Sequence, residues 1–107
     1  MTSEYPCPAC GYLAFDEPAG SYAICGVCGW EDDPVQLRWP LDGGGANSES
    51  LQRAEYAADA MLSADPDAAA GFSRDPEWCM VVAHSHCVMH GDRLRSRFTY
   101  YWRPESD

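Results

Sequence analysis

Four cysteines, Cys7, Cys10, Cys25 and Cys28, stand as two C-x-x-C pairs with fourteen residues between Cys10 and Cys25. Thiols at this spacing can close a four-sulfur metal site, run dithiol redox chemistry or form a disulfide staple. A C-x-x-C turn sets two thiolates on one side of a metal and leaves backbone N–H groups free to bond to sulfur. A small residue after the second cysteine eases that approach, and Gly11 and Gly29 both hold that place. The spacing therefore favours a structural Zn2+ site, with iron a less favoured occupant of the same ligand set. A redox reading of "CPAC" requires a strand before the pair and a helix after it, whereas here Gly11 and then a strand-like run follow. Four thiolates also close the coordination sphere, which argues against zinc-assisted hydrolysis at this site.

Three further groups have chemistry to offer. The carboxy-terminal third holds Cys79, His84, His86, Cys87, His90 and Asp92. On a strand His84 and His86 would share a face, and Cys87 or His90 would complete a second metal site with an open position. Otherwise, Cys79 and Cys87 are small hydrophobes and the histidines line a solvated edge. Arg93, Arg95 and Arg97 alternate with other residues, so a strand points all three one way, towards Glu31, Asp32 and Asp33 as expected ion partners or towards an anionic ligand. Those three acids follow Trp30 directly and read as a solvated acidic loop, or as an acid–base or cation site. Trp30 itself is expected to be a lid over the sulfurs. Tyr100, Tyr101 and Trp102 are expected to cap the core at the end of a strand, with Trp102 mattering much less to stability than Trp30.

The elements that must position these residues follow from pattern. "YLAF" and "SYAI" (12–15 and 21–24) flank the turn "DEPAG" and predict a hairpin that folds one cysteine pair onto the other. Residues 31–47 read as a packed connection anchored by Val35 and Trp39. Leu51, Ala54, Ala58 and Met61 or Leu62 fall at helical spacing and predict an amphipathic helix over 50–63, with Ser50 as N-cap and Gln52, Arg53, Glu55 and Asp59 mostly on the opposite side. A further helical turn is expected near Pro66, ended by Gly71. "CMVVAH" and "RFTYYW" (79–84 and 97–102) predict a carboxy-terminal strand pair. The fold class expected is α+β: a small zinc-ribbon-like hairpin, one helix and that strand pair, in a single domain over 1–107 with the knuckle pair at 5–34.

Charge narrows the partners. Lysine is absent, and residues 1–77 carry fourteen acids against Arg38, Arg53 and Arg74, while 78–107 carry four arginines against three acids. An acidic body repels phosphate backbones and anionic lipid, so neither nucleic acid nor membrane is an expected partner. The opening "MTSEYPCPAC" has no basic or apolar leader, and the longest apolar run is the six residues of "WCMVVA". A cytoplasmic protein is expected, and a reducing compartment disfavours disulfides.

Several stretches together carry a family resemblance: Tyr5-Pro6-Cys7-Pro8, Cys10-Gly11-Tyr12, Gly20-Ser21-Tyr22, Ile24-Cys25, Cys28, Trp30 to Gln36, Gly44-Gly45-Ala46-Asn47, Ser50-Leu51 and "RDPEW" at 74–78. Over about residues 5–78 the chain resembles the cysteine-rich CPCC domain family, small bacterial proteins with no established activity. The family's C-P-C-C is here Cys7-Pro8-Ala9-Cys10, so chemistry that needs adjacent thiols is not expected. Residues 79–107 lie outside the resemblance. The function expected is a non-catalytic zinc-binding module that binds another protein. The alternative is a small hydrolase using the tail histidines or the loop carboxylates, and a thiol redox protein is less favoured still.

Overall fold

The computed structural model describes residues 5–103. The ends of the expected single domain, 1–4 and 104–107, lie outside the described residues.

Each C-x-x-C pair is built into its own small hairpin. β1 (Tyr5–Pro6) pairs antiparallel with β2 (Leu13–Phe15), Tyr5 opposite Phe15 and Pro6 opposite Leu13, across the first knuckle. The Cys7 amide donates to the Tyr12 carbonyl (2.9 Å) and the Gly11 amide to the Cys7 carbonyl (2.7 Å). The second knuckle repeats this: the Cys25 amide donates to the Trp30 carbonyl (2.8 Å), the Gly29 amide to the Cys25 carbonyl (2.9 Å), and Ile24 bridges Glu31. Gly11 and Gly29 both sit at positive φ (81° and 83°), where a side chain would be strained. The expected pairing of 12–15 with 21–24 is therefore replaced. Residues 13–15 turn back on β1 and residues 22–25 meet 30–32, each across its own knuckle, where the amide bonds of Gly11 to Cys7 and of Gly29 to Cys25, with both glycines at positive φ, reverse the chain tightly.

The connection after the second knuckle contains a short helix, α1 (Pro34–Arg38), capped by Asp33, and it buries Gln36 and Leu37. Val35, expected as an anchor, is 57% exposed. α2 (Leu51–Ala64) forms as expected, its Ser50 hydroxyl accepting from the Arg53 amide at 3.2 Å. Its inward face is Leu51, Glu55 and Ala58, so Glu55 lies on the buried side and not opposite it. A 3-10 turn at Pro66–Ala69 follows, as expected near Pro66.

The fold class is α+β with a carboxy-terminal strand pair, but the pair occupies the predicted connection. A single helical turn, α3 (Ala83–His86), leads into β3 (Cys87–His90), which pairs antiparallel with β4 (Arg93–Ser96) through Gly91 at φ 67°. His90 and Arg93 face each other across a two-residue Gly-Asp turn, a strong local hairpin signal. The two apolar runs instead supply core residues. Val81, Tyr101 and Trp102 join Phe15, Trp30, Leu37, Leu51 and the cysteines in one buried cluster. Asp75 ties the tail down, accepting from Trp102 Nε1 (2.9 Å) and Arg103 Nη2 (2.6 Å).

Candidate metal centre

The Sγ atoms of Cys7, Cys10, Cys25 and Cys28 all lie within 4.8 Å of one another. Contacts run between knuckles: Cys7 to Cys28 is 3.6 Å and Cys10 to Cys25 is 3.8 Å. A disulfide needs about 2.0 Å, so these are four free thiols. Tetrahedral coordination at a metal–sulfur distance of about 2.3 Å places sulfurs about 3.8 Å apart. The cluster therefore has the dimensions of a four-thiolate metal site.

The surroundings suit that use. Cys7, Cys10 and Cys25 are 0%, 1% and 3% exposed, while Cys28 is partly exposed. The Val27 amide donates to Cys25 Sγ at 3.4 Å, the knuckle N–H···S bond that stabilises a bound thiolate. Burial pushes the Cys7 thiol well up, the Cys25 sulfur pushes Cys10 up, and Cys10 in turn pulls Cys25 down. Four thiols in contact, three of them buried, cannot all ionise beside one another, and a divalent cation in their midst removes that penalty.

The knuckles are braced from the "RDPEW" segment. Trp78 lies on Gly11, where an added Cβ would come within 2.6 Å of the indole, and Trp78 Nε1 donates to the Pro8 carbonyl at 2.9 Å. Arg74 Nε donates to the Cys10 carbonyl at 3.0 Å, with its guanidinium 4.6 Å from the Trp78 ring centroid.

The acidic loop is not solvated. Asp32 and Asp33 are 1% and 4% exposed. Asp32 Oδ2 accepts from the Gly20 and Ser21 amides and the Ser21 hydroxyl, while Asp33 caps α1 through Val35 N and holds the Ala46 amide at 2.9 Å. Behind them, the Gln36 amide group donates to the carbonyls of Asn47 and Glu49, and Asn47 pairs with both backbone groups of Glu31. The Asp32 and Asp33 carboxylates are occupied by backbone amides, which is why they do not meet the arginines. Arg93 instead pairs with Asp42 (Nε to Oδ2, 2.9 Å) and stacks 4.1 Å from the Trp39 centroid. Arg95 Nε is buried with no partner among the described residues, and Arg97 lies beyond β4.

The tail set does not assemble. Among the described residues the four knuckle cysteines are the one group of three or more potential ligands within reach of a common ion. His84 and His86 lie on α3, not a strand, Cys87 is buried, and His90 packs edge-on against Trp39. Cys79 Sγ does approach His86 Nε2 (3.9 Å), but His86 Nδ1 accepts from the Val82 amide at 2.8 Å. That bond puts the neutral ring's hydrogen on Nε2, the atom that faces the sulfur. Nε2 thus has no lone pair with which to bind a metal or take a thiol proton, and burial, followed by His84, lowers the His86 pKa further.

The family model described as Cysteine-rich CPCC matches residues 5–77. No curated protein matches the sequence.

Proposed function

We propose, on the premise that the chain belongs to the cysteine-rich CPCC family, that it is a non-catalytic module in which Cys7, Cys10, Cys25 and Cys28 hold one structural Zn2+ ion and which acts by binding another protein. The observation that carries the metal reading is the cross-knuckle sulfur spacing of 3.6 and 3.8 Å with all four atoms inside 4.8 Å. Zinc is favoured over iron because a closed, redox-silent tetrahedral site suits a structural role. The knuckle hairpins have little apolar core of their own, so binding free energy at the site is largely folding free energy.

The protein-binding part rests on surface character. The first 37 residues contain no lysine, arginine or histidine, and they expose the acids Asp16 and Glu17 together with Tyr22, Ile24 and Val35, the last three at 51%, 67% and 57%. Such a surface complements a basic protein with apolar sockets. Among the described residues no helix is long and apolar enough to cross a membrane. Free thiols suit a cytoplasmic setting, which belongs to the same proposal.

Elemental analysis of the purified protein tests the metal reading. One zinc per chain is expected, lost on Cys7→Ser and kept on Cys79→Ser. Affinity capture from the source cytoplasm, with wild type against Ile24→Asp, tests the partner reading through one stoichiometric protein that the variant fails to retain.

A further inference from the structure

The four sulfurs are not equally sheltered. Cys7, Cys10 and Cys25 are almost wholly buried, whereas Cys28 is partly exposed and lines an open groove of about 810 Å3. One wall of the groove is Cys28, Gly29 and Trp30 of the second knuckle, and the other is Tyr56, Ala57 and Met61 of α2. Nothing lies within 4 Å of the place a Gly29 Cβ would take, so the approach beside Cys28 is open space. Behind Cys28, 3.6 Å away, is the Sγ of Cys7, which is 0% exposed.

We propose that Cys28 is the sulfur through which a hydroperoxide opens the metal site, with Cys7 as its resolving partner, so that the centre is an oxidant-releasable metal site as well as a structural one. The inference rests on the metal reading above. A small neutral peroxide fits the groove and meets one sulfur on its wall, while the other three are reached only through protein. The Cys28 thiolate attacks the terminal peroxide oxygen, forming an S–O bond as the O–O bond breaks, and the alkoxide or hydroxide that leaves takes a proton from water. The Cys7 sulfur then attacks the Cys28 sulfenic sulfur, forming an S–S bond and expelling hydroxide, which also takes a proton. Two electrons pass from the two sulfurs to the peroxide, giving an alcohol or water plus a second water. The contact contracts from 3.6 Å to about 2.0 Å. Cys10 and Cys25 remain as the only thiolates, too few to retain the ion.

The test uses full-length zinc-loaded protein carrying Cys79→Ser, which removes the exposed thiol that would otherwise react first. Zinc content is measured before oxidation, so a failure of the metal reading shows itself as protein without zinc. Hydrogen peroxide is then added while zinc release is followed with a chromogenic chelator, and disulfides are mapped by mass spectrometry in quenched samples. A Cys7–Cys28 disulfide is expected first, appearing in step with zinc release. Ala57→Trp, on the exposed face of α2 at the groove wall, is expected to slow both severalfold with zinc content unchanged. A first disulfide between any other pair, no zinc release, or release as fast in Ala57→Trp as in its parent would overturn the proposal.

Discussion

The Tyr101 hydroxyl lies in hydrogen-bond contact with both the Glu55 carboxyl and the Cys79 carbonyl, and this contact joins α2 to the carboxy-terminal segment inside the core. Glu55 is 1% exposed, and its other oxygen accepts from the Val81 amide at 2.8 Å. Tyr101 has one proton and a carbonyl only accepts, so both contacts are satisfied together when the carboxyl is protonated. Burial is the main cause that pushes Glu55 up to about 8, against the smaller opposing pull of Tyr101 and Val81.

Because this carboxyl is raised in the folded state, the unfolded chain holds fewer protons between pH 4.5 and about 8, and stability falls as pH rises through that window. Above it the loss is complete, and it amounts to several kcal/mol at about 1.4 kcal/mol per pKa unit. Glu55→Gln keeps an acceptor for Val81 and a donor for Tyr101 without the charge. Urea midpoints measured from pH 6 to 9 on metal-loaded protein should fall for wild type and stay flatter for Glu55→Gln. Equal slopes would show that Glu55 is not the titrating group.

Glu55 also shows what the sequence makes legible. Leu51, Glu55, Ala58 and Leu62 fall at i, i+4, i+7 and i+11, the inward helical face, so the position of the acid is readable while its partners Val81 and Tyr101 are not. The knuckles are readable because C-x-x-C-G fixes its own local geometry. Their pairing is not, since "YLAF" fits either neighbour and the backbone bonds that close each knuckle decide it. The tail misleads for another reason. "CMVVAH" and "RFTYYW" have strand composition, yet their apolar residues serve the core, and the short His90–Arg93 turn sets the actual hairpin.

Removing the metal should cost the protein most of its stability, since the cysteines form part of the one buried cluster. A strong chelator is expected to lower the thermal midpoint and broaden the transition. Cys10→Ser should mimic it without chelator, whereas Cys79→Ser, at an exposed position, should leave the midpoint in place. A chelator-treated protein that melts like the untreated one would sink the structural-metal reading.

Asp33 holds two elements at once, capping α1 and binding the Ala46 amide. Loss of an N-cap costs about 0.5–2 kcal/mol, and the abandoned Ala46 donor adds to it. Asp33→Ala should therefore shift the urea midpoint more than Glu31→Ala. Gly45→Ala should behave similarly, because its Cβ would come within 2.5 Å of Asp33 Oδ2.

The two buried tryptophans differ in what their indole nitrogens do. Trp30 is 4% exposed and its Nε1 has no hydrogen-bond partner among the described residues, while Trp102 is 8% exposed and donates to Asp75. Truncating either to alanine removes a large buried side chain, typically about 3–5 kcal/mol, so Trp102, expected from its place near the end of the chain to matter little, ranks with Trp30. Phenylalanine separates them. Trp30→Phe keeps most of the ring and removes an N–H that has no hydrogen-bond partner among the described residues, so it should cost far less than Trp30→Ala. Trp102→Phe strips a donor from Asp75, whose carboxyl is raised by burial but held below its usual range by Trp102, the Glu77 amide and Arg103. The remaining partners leave that buried carboxylate less well satisfied, a penalty of about 1–3 kcal/mol. Thermal midpoints of the four variants should therefore show a wide gap between phenylalanine and alanine at position 30 and a narrow one at position 102. The same gap at both would mean that the Asp75 contact contributes nothing to holding the tail.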